Sequence, residues 1–456
     1  MRRFQKRQCL KILDTLSSTT VEIKKILDNR GYDEVLKLFE QMQQAAIILG
    51  NTIEQSEGEG FVTVAHLENY CELLYGMSEE ISSAVRNTDS INSFRIEKKL
   101  KKSISTIENS IRNDIPEKTE VVFLPYKASM WDSLESVWRR ADADPNCDAY
   151  VIPIPYFDRT PDRGLGQMHY EGNLYPKDVP VIDYTTYDFK GRHPDRIYIH
   201  NPYDDNNFVT SVHPFFYSKN LMNFTDDLVY IPYFILDEPD PDNESSLEGI
   251  KNFVLQTGVF NANHVIVQSE AMREAYIRII MKYFGFGEDM RPALLEKISG
   301  AGSPKVEKVM NTKLEDIEIP EEWLRLIKKP DGSFKKIVFY NTSVSTLLKH
   351  NDEMLVKMKD VFRIFKESSE NIVLLWRPHP LIQATIESMR PKLWNDYKAL
   401  VDEYRSEGWG IYDDTPDMDR AVILSDAYYG DFSSIVWLYQ KTGKPIMIEN
   451  PEIIEE

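Results

Sequence analysis

The sequence predicts an α/β protein, with an all-helical domain followed by two doubly wound domains that face one cleft. Three observations carry this. From Phe4 to about Asn113 the chain is rich in Leu, Ile, Glu, Lys and Gln, with no alternating strand pattern. From Glu120, short β-rich runs alternate with helical periodicity, the signature of a mainly parallel sheet covered on both faces. A second such series begins at Lys336, after Gly300-Ala301-Gly302-Ser303-Pro304 and a polar segment to Gly332 that together read as a hinge. At roughly 100–200 residues per domain, 456 residues divide into a helical domain over 1–115, a first Rossmann-like domain over 116–320 and a second over 321–456.

In the helical part, loop chemistry at Asn29-Arg30-Gly31, Ser56–Gly60 and Asn87-Thr88-Asp89-Ser90 separates about four helices. Two stacked helical hairpins are the simplest arrangement. Val64, Leu67, Cys71, Leu74 and Met77 recur at helical spacing and predict one buried stripe. The first helix sets Arg2, Arg3, Lys6, Arg7 and Lys11 around Phe4, Leu10 and Ile12. That pattern suits a weak contact with an anionic membrane surface or a solvated face on a helical cap, and the chain's acidity elsewhere favours the solvated face.

In the first α/β part, strands are expected at Glu120–Pro125, Ala149–Pro153, Val181–Tyr184, Arg196–His200, Leu228–Tyr233 and His264–Gln268. A helix is expected over Trp131–Arg140, and another opens at Ser269. In the second part, strands are expected at Lys336–Tyr340, Ile372–Trp376, Trp409–Tyr412, Ala427–Tyr429 and Pro445–Ile448. Ligands of such sheets bind outside the carboxyl ends of the strands.

Composition narrows the function. Acidic residues number 73 against 54 basic, a net charge of −19. Such a surface repels phosphate backbones, which argues against broad nucleic-acid binding. Cys9, Cys71 and Cys147 have no paired spacing, so neither a disulfide framework nor a Cys-rich zinc site is expected, and a reducing compartment fits. No run approaches the ~20 apolar residues of a membrane span, and no apolar signal core follows the basic N-terminus. A cytoplasmic protein is expected, with the inner membrane face as a second location.

Three strand ends carry candidate chemistry. In Tyr428-Tyr429-Gly430-Asp431-Phe432-Ser433-Ser434, a strand and a glycine turn lead into a helix that opens with hydroxyls. Free N–H groups there accept a phosphate, and Ser433 and Ser434 add donors. Asp431 serves as a phosphate-side residue or as a plain N-cap. In Leu374-Leu375-Trp376-Arg377-Pro378-His379-Pro380, a buried strand delivers Arg377 to clamp phosphate oxygens and His379 to bond or protonate one. In Ile199-His200-Asn201-Pro202-Tyr203-Asp204-Asp205, His200 is a candidate general base, with Asn201 and Asp204 beside it. The spacing of His193, His200 and His213 matches no standard zinc pattern, and a divalent metal is not expected. Weaker anion candidates are Lys127 and Ser129 after the first strand, and Thr342 in Asn341-Thr342-Ser343. Each of these also fits an ordinary capped turn.

Arg377-Pro378-His379-Pro380 and Asp431-Phe432-Ser433-Ser434 are similar to the His-Pro and Asp-Tyr-Ser-Ser motifs of the CDP-glycerol:poly(glycerophosphate) glycerophosphotransferases, the teichoic acid polymerases. Val265–Glu270 and Gly302-Ser303-Pro304-Lys305 resemble that family's Ser-containing strand end and Gly-x-Pro-Arg turn. The likeness runs from about Ile197 to Ile448, more loosely from Val121. His200 is followed by Asn-Pro where the family has Gly, and Asn341-Thr342-Ser343-Val344 lacks the arginine of the family's Pro-Thr-x-Arg.

The resemblance implies a GT-B-like fold and transfer of glycerol phosphate, or a related alditol phosphate, from a CDP-activated donor to a hydroxyl acceptor. A lipid-linked acceptor is a candidate. It assigns His200 as base, His379 to the donor phosphate, and Ser433 and Ser434 to the pyrophosphate. Arg377, Asp431, Thr342 and Ser303 complete the donor side; Lys127, Ser129, Asn201 and Asp204 are acceptor-side candidates. No cofactor beyond the donor is expected. The alternatives are a GT-B glycosyltransferase using a nucleotide sugar, and a non-catalytic nucleotide-binding or assembly protein with the helical domain as its docking surface; in any of these readings the helical domain is a candidate for oligomerisation.

Overall fold

The computed structural model describes residues 1–87, 90–160, 162–379, 382–415 and 417–451. Thr88, Asp89 and Pro380 therefore lie outside the described residues.

Helices α1 (Arg3–Asp28), α2 (Tyr32–Glu57), α3 (Val62–Asn87) and α4 (Ser93–Asp114) make up the N-terminal part. Each buries one line of residues three or four apart, such as Val35, Phe39, Met42, Ala46, Leu49 and Ile53 in α2. In α4 the line is Ile96, Leu100, Ile104, Ile107 and Ile111, and the Asn92 side chain caps the start by accepting from Arg95 N at 2.9 Å. The helices close into a bundle in which α1 meets α2 and α4, and α3 meets the same two. In α3 the buried line runs through Leu67, Tyr70, Leu74, Met77 and Ile81. Val64 and Cys71 sit half-buried on its flank.

Two of the basic residues at the start of α1 have internal uses. Lys6 Nζ donates to Ile115 O at 2.8 Å and to Arg112 O at 3.1 Å, and Arg3 pairs with Glu117 at 2.6 Å. Among the described residues no helix is long and apolar enough to cross a membrane.

The chain separates into two compact units, one of them residues 1–121 with 141–149 and 188–195. The other, residues 122–140, 150–187 and 196–456, holds most of the two α/β halves. The first half has strands β1 (Thr119–Leu124), β2 (Cys147–Val151), β3 (Tyr156–Arg159), β4 (Leu165–His169), β5 (Arg196–Ile199), β6 (Thr210–Val212), β7 (Asp227–Tyr230), β8 (His264–Ile266) and β9 (Ile298–Ser299). Six form one sheet in the order β2-β1-β5-β7-β8-β9. A small antiparallel sheet, β4-β3-β6, was not legible in the sequence, because β4 is largely exposed and shows no apolar alternation.

Three expectations are corrected here. Val181–Tyr184 is not a strand; only Val181 bridges, to Val151. The helix expected over Trp131–Arg140 is divided into a 3-10 turn, Ala128–Ser133, and a helix, Glu135–Asp142. Ser133 Oγ donates to Met130 O at 2.7 Å, a local bond that tightens the turn. The expected hinge is a packed connection, with helices Pro304–Asn311 and Glu321–Ile327. Val309, Trp323 and Ile327 join the core of the second half, and Lys308 bridges Glu135 at 2.8 Å and Asp419 at 3.0 Å, one in each half.

The second half has β10 (Lys336–Thr342), β11 (Ile372–Pro378), β12 (Ile411–Tyr412), β13 (Ala427–Gly430) and β14 (Ile446–Ile448). Their order is β12-β11-β10-β13-β14, with every neighbouring pair parallel. Ile337, Phe339, Val373 and Leu375 pack on one face, and Tyr340, Leu374 and Trp376 on the other. Burial on both faces is what makes these strands read as continuous apolar runs. The chain starts at the centre, winds outward through β11 and β12, then returns to β13. The winding reverses between β10 and β13, so the crevice for a ligand opens above their carboxyl ends. Two doubly wound halves of this kind make the unit GT-B-like.

Candidate active site

The loops that leave β10 and β13 are stitched together. Asp431 N donates to Asn341 O at 2.9 Å, and Ser343 N donates to Asp431 Oδ2 at 2.5 Å. Asn341 Nδ2 donates to Ser433 Oγ at 3.3 Å. Gly430 is required at this approach. Its φ is +141°, and a Cβ there would lie 2.2 Å from Asn341 O. On the other side, His379 N donates to Thr342 O at 2.9 Å, which ties the end of β11 to β10.

Ser433 is the N-cap residue of the helix Ser434–Lys441, yet its hydroxyl makes no capping bond. Ser434 is exposed at the first position. The first N–H groups of a helix have no partner within it and carry partial positive charge. Two serines and a helix start thus stand at the crevice between β10 and β13, a combination of groups suited to an anion.

Asp431 does not cap this helix, and it is not a phosphate ligand. Burial raises its carboxyl above the usual range, against the hydrogen bonds from Ser343. Its role is to brace the two loops. Thr342 is fully buried and its Oγ1 accepts from Trp376 Nε1 at 3.1 Å, so it faces the core. Arg377 is buried as well. Its guanidinium donates to Asp413 Oδ2 at 2.6 Å and to Thr415 O at 2.7 Å, so it shapes the β12 loop where a phosphate clamp was expected. His379 stands at the same strand end, where its side chain is exposed. Its imidazole is pushed down by burial and, second, by the nearby Lys127 cation. Beside Arg377 and His379 opens a cavity of about 430 Å³, lined also by Trp394, Lys398, Arg405 and Tyr412.

In the first half His200 departs most from expectation. It is fully buried under the loop that follows β1. Nε2 accepts from Tyr126 N at 3.1 Å, and Nδ1 lies 2.9 Å from Ser133 Oγ. Because Ser133 spends its own proton on Met130 O, Nδ1 is the protonated nitrogen. The rings of Tyr126 and Tyr233 meet the imidazole edge-on at 5.3 and 5.8 Å. Burial pushes His200 down to about 3. A neutral ring with both nitrogens engaged and no exposed surface cannot take a proton from an acceptor.

Asn201 and Asp204 are structural too. Asn201 Oδ1 accepts from Tyr203 N at 2.9 Å, and buried Asp204 accepts from Ser218 N at 2.8 Å and Ser218 Oγ at 2.7 Å. Ser303 lines a small cavity of the first half with Pro232, Phe234 and Gln268, its hydroxyl unpaired among the described residues. Ser129 lies in the 3-10 turn after Lys127. Among the described residues no cluster of three or more His, Cys, Asp or Glu is arranged to hold a metal ion.

Sequence reasoning missed Glu449, which follows β14 and is bound by the Tyr340 hydroxyl at 3.1 Å. Burial, then the charge of Asp431, pushes it up to about 7. Its only sequence signal was its position just beyond the last strand.

Residues 248–455 match the family CDP-Glycerol:Poly(glycerophosphate) glycerophosphotransferase. A search of curated proteins finds no match. Among solved structures, the S. aureus MnaA-UDP co-structure aligns over 72% of this chain and 78% of its own, with 9% identity and a TM-score of 0.42. The Methanocaldococcus jannaschii UDP-GlcNAc 2-epimerase in complex with UDP-GlcNAc and UDP covers 73% and 83%, with 12% identity and a TM-score of 0.40. The wall teichoic acid polymerase TagF covers 76% and 74%, with 14% identity and a TM-score of 0.38.

Proposed function

We propose, for a chain whose residues 248–455 are of the CDP-glycerol:poly(glycerophosphate) glycerophosphotransferase family, that it is a transferase. It moves glycerol phosphate from CDP-glycerol to a hydroxyl acceptor in the synthesis of a cell-surface polymer. The observation that supports this best is the stitched pair of loops at the β10/β13 reversal. There Ser433, Ser434 and a helix start offer groups suited to a phosphate, and the His379 backbone is tied to the β10 loop at Thr342.

In this reading the donor diphosphate lies on the Ser433–Ser434 helix start, and the nucleoside occupies the cavity beside His379. A volume of about 430 Å³ is within the usual range for a small-molecule site. The acceptor hydroxyl attacks the β-phosphorus and gives up its proton to solvent, the bond from that phosphorus to the bridging oxygen breaks, and CMP leaves with that oxygen. Serine hydroxyls, helix N–H groups and His379 hydrogen-bond the phosphate oxygens as charge shifts. Positioning and charge neutralisation of this kind carry most of the rate in phosphoryl transfer, and we assign no cofactor to it. The acceptor enters from the first half, at the carboxyl edge of its sheet. The work takes place in the cytoplasm, at the inner face of the membrane where the acceptor is lipid-linked.

The second reading, transfer of a sugar from a nucleotide sugar, uses the same cradle. Incubation with CDP-glycerol, CDP-ribitol and UDP- or CDP-sugars, with a glycerol-phosphate-terminated acceptor, separates the two. CMP release from CDP-glycerol, with the sugars inert, is the expected result. Turnover of a nucleotide sugar with CDP-glycerol inert would replace this reading with the second.

A further inference from the structure

The carboxyl ends of β10, β13 and β14 are fastened together around Gly430. Asn341 of β10 and Ile448 of β14 stand beside it in register. Asp431 N donates to Asn341 O at 2.9 Å, and Glu449 N donates to Gly430 O at 2.8 Å. Two acids therefore flank the turn that leads to Ser433 and Ser434. Asp431 is next to Gly430 in the chain, and Glu449 is held to it by a backbone bond. Both are buried.

The two carboxyl groups are held differently. Asp431 Oδ2 accepts from Ser343 N at 2.5 Å, a bond that fixes the β10 loop. Glu449 meets one donor among the described residues, the Tyr340 hydroxyl, which lies 3.1 Å from each of its oxygens. Tyr340 is fully buried and stacks on the ring of Tyr429 at 5.7 Å, so that hydroxyl is fixed in place. The charged groups that act on Glu449 are Asp431 and Lys357 of the helix Asp352–Glu367, and His350 acts on Asp431 in turn. The phenols of Tyr340, Tyr428 and Tyr429 complete the titratable groups around it. Burial, then the charge of Asp431, outweighs the Tyr340 bond and the Lys357 charge, and the acid is pushed up to about 7. A buried carboxylate with one neutral donor and a second carboxyl group beside it favours its proton. A diphosphate on the Ser433–Ser434 helix start adds negative charge at the end of the same turn.

We infer that Glu449 is a positioning residue for the donor-binding turn, that it holds Gly430 as the neutral acid, and that its ionisation weakens binding of the donor diphosphate. Proton and donor are thereby coupled, each raising the affinity for the other. This rests on the donor reading above and adds to it a dependence on pH.

The test is calorimetric titration of the full chain with CDP-glycerol at a series of pH values. Its diphosphate is esterified at both ends, so the charge of the ligand stays constant. Wild-type affinity should fall about 10-fold from about pH 6 to about pH 9, which is what a donor that moves the carboxyl's titration upward by about one pH unit produces. Glu449→Gln keeps the backbone bond and the shape of the neutral acid. It should bind as tightly as the wild type does at the acid end of the range, and hold that affinity throughout. Tyr340→Phe removes a bond that favours the carboxylate, so its fall in affinity should begin at higher pH. A Glu449→Gln protein whose affinity falls with pH as the wild type's does would overturn the inference and leave the donor reading standing. So would a wild type whose affinity does not change with pH, a Glu449→Gln protein weak at every pH, a Tyr340→Phe protein with an unmoved profile, or failure of both variants to fold. A wild type that binds CDP-glycerol at no pH would remove the donor reading, and the inference with it.

Discussion

His200→Ala is expected to lose about 3–5 kcal/mol of stability, from a cavity in a packed aromatic cluster and a Tyr126 N–H left without its acceptor. The cause is structural, because the ring is fully buried and bonded at both nitrogens. The pH dependence gives a second signature. The unfolded histidine titrates near 6.5 and the folded one at about 3, so between those values the unfolded chain binds a proton that the folded chain does not. Its contribution to stability is fully present above 6.5 and is lost as pH falls toward 3. At about 1.36 kcal/mol per pH unit, this is several kcal/mol. The gap in stability between wild type and His200→Ala should therefore narrow as pH falls through that window, as denaturant titrations at a series of pH values would show. A variant as stable as the wild type, with an unchanged gap, would contradict this placement.

Arg377→Met should be comparably severe, about 3–5 kcal/mol, because it leaves the fully buried Asp413 carboxylate without its cation. Adding Asp413→Asn should recover part of the loss, since the pair removed together no longer leaves a buried charge. Thermal melts of the two single variants and the double variant measure this directly. If Arg377→Met kept its melting temperature and lost only donor affinity, Arg377 would be the phosphate clamp that the sequence suggested.

Both cases show where the sequence stops being legible. The strands carrying His200 and Arg377 were readable from their apolar runs, and so was their delivery of a polar residue at each carboxyl end. Which way that residue turns depends on a partner distant in the chain. For His200 the partner is Tyr126 N, 74 residues away; for Arg377 it is Asp413, 36 residues away. One strand-end pattern yields a buried brace at His200 and a crevice-side group at His379. Asp431 was legible as a functional position but not in its role, because its bond to Ser343 N exists only once β10 and β13 are neighbours. The glycine turn and the helix start at Ser433 and Ser434 were readable because that pattern is local. The β4-β3-β6 sheet and the packed Pro304–Ile327 connection had no such local signature.

The measurement that tests the donor site most directly is a crystal structure of the full chain with CDP-glycerol. The diphosphate should lie within hydrogen-bond distance of Ser433, Ser434 and His379, at the reversal between β10 and β13. The cytidine should lie in the cavity bounded by Trp394 and Tyr412. A nucleotide bound elsewhere, with the Gly430–Ser434 loop unoccupied at saturating CDP-glycerol, would contradict it.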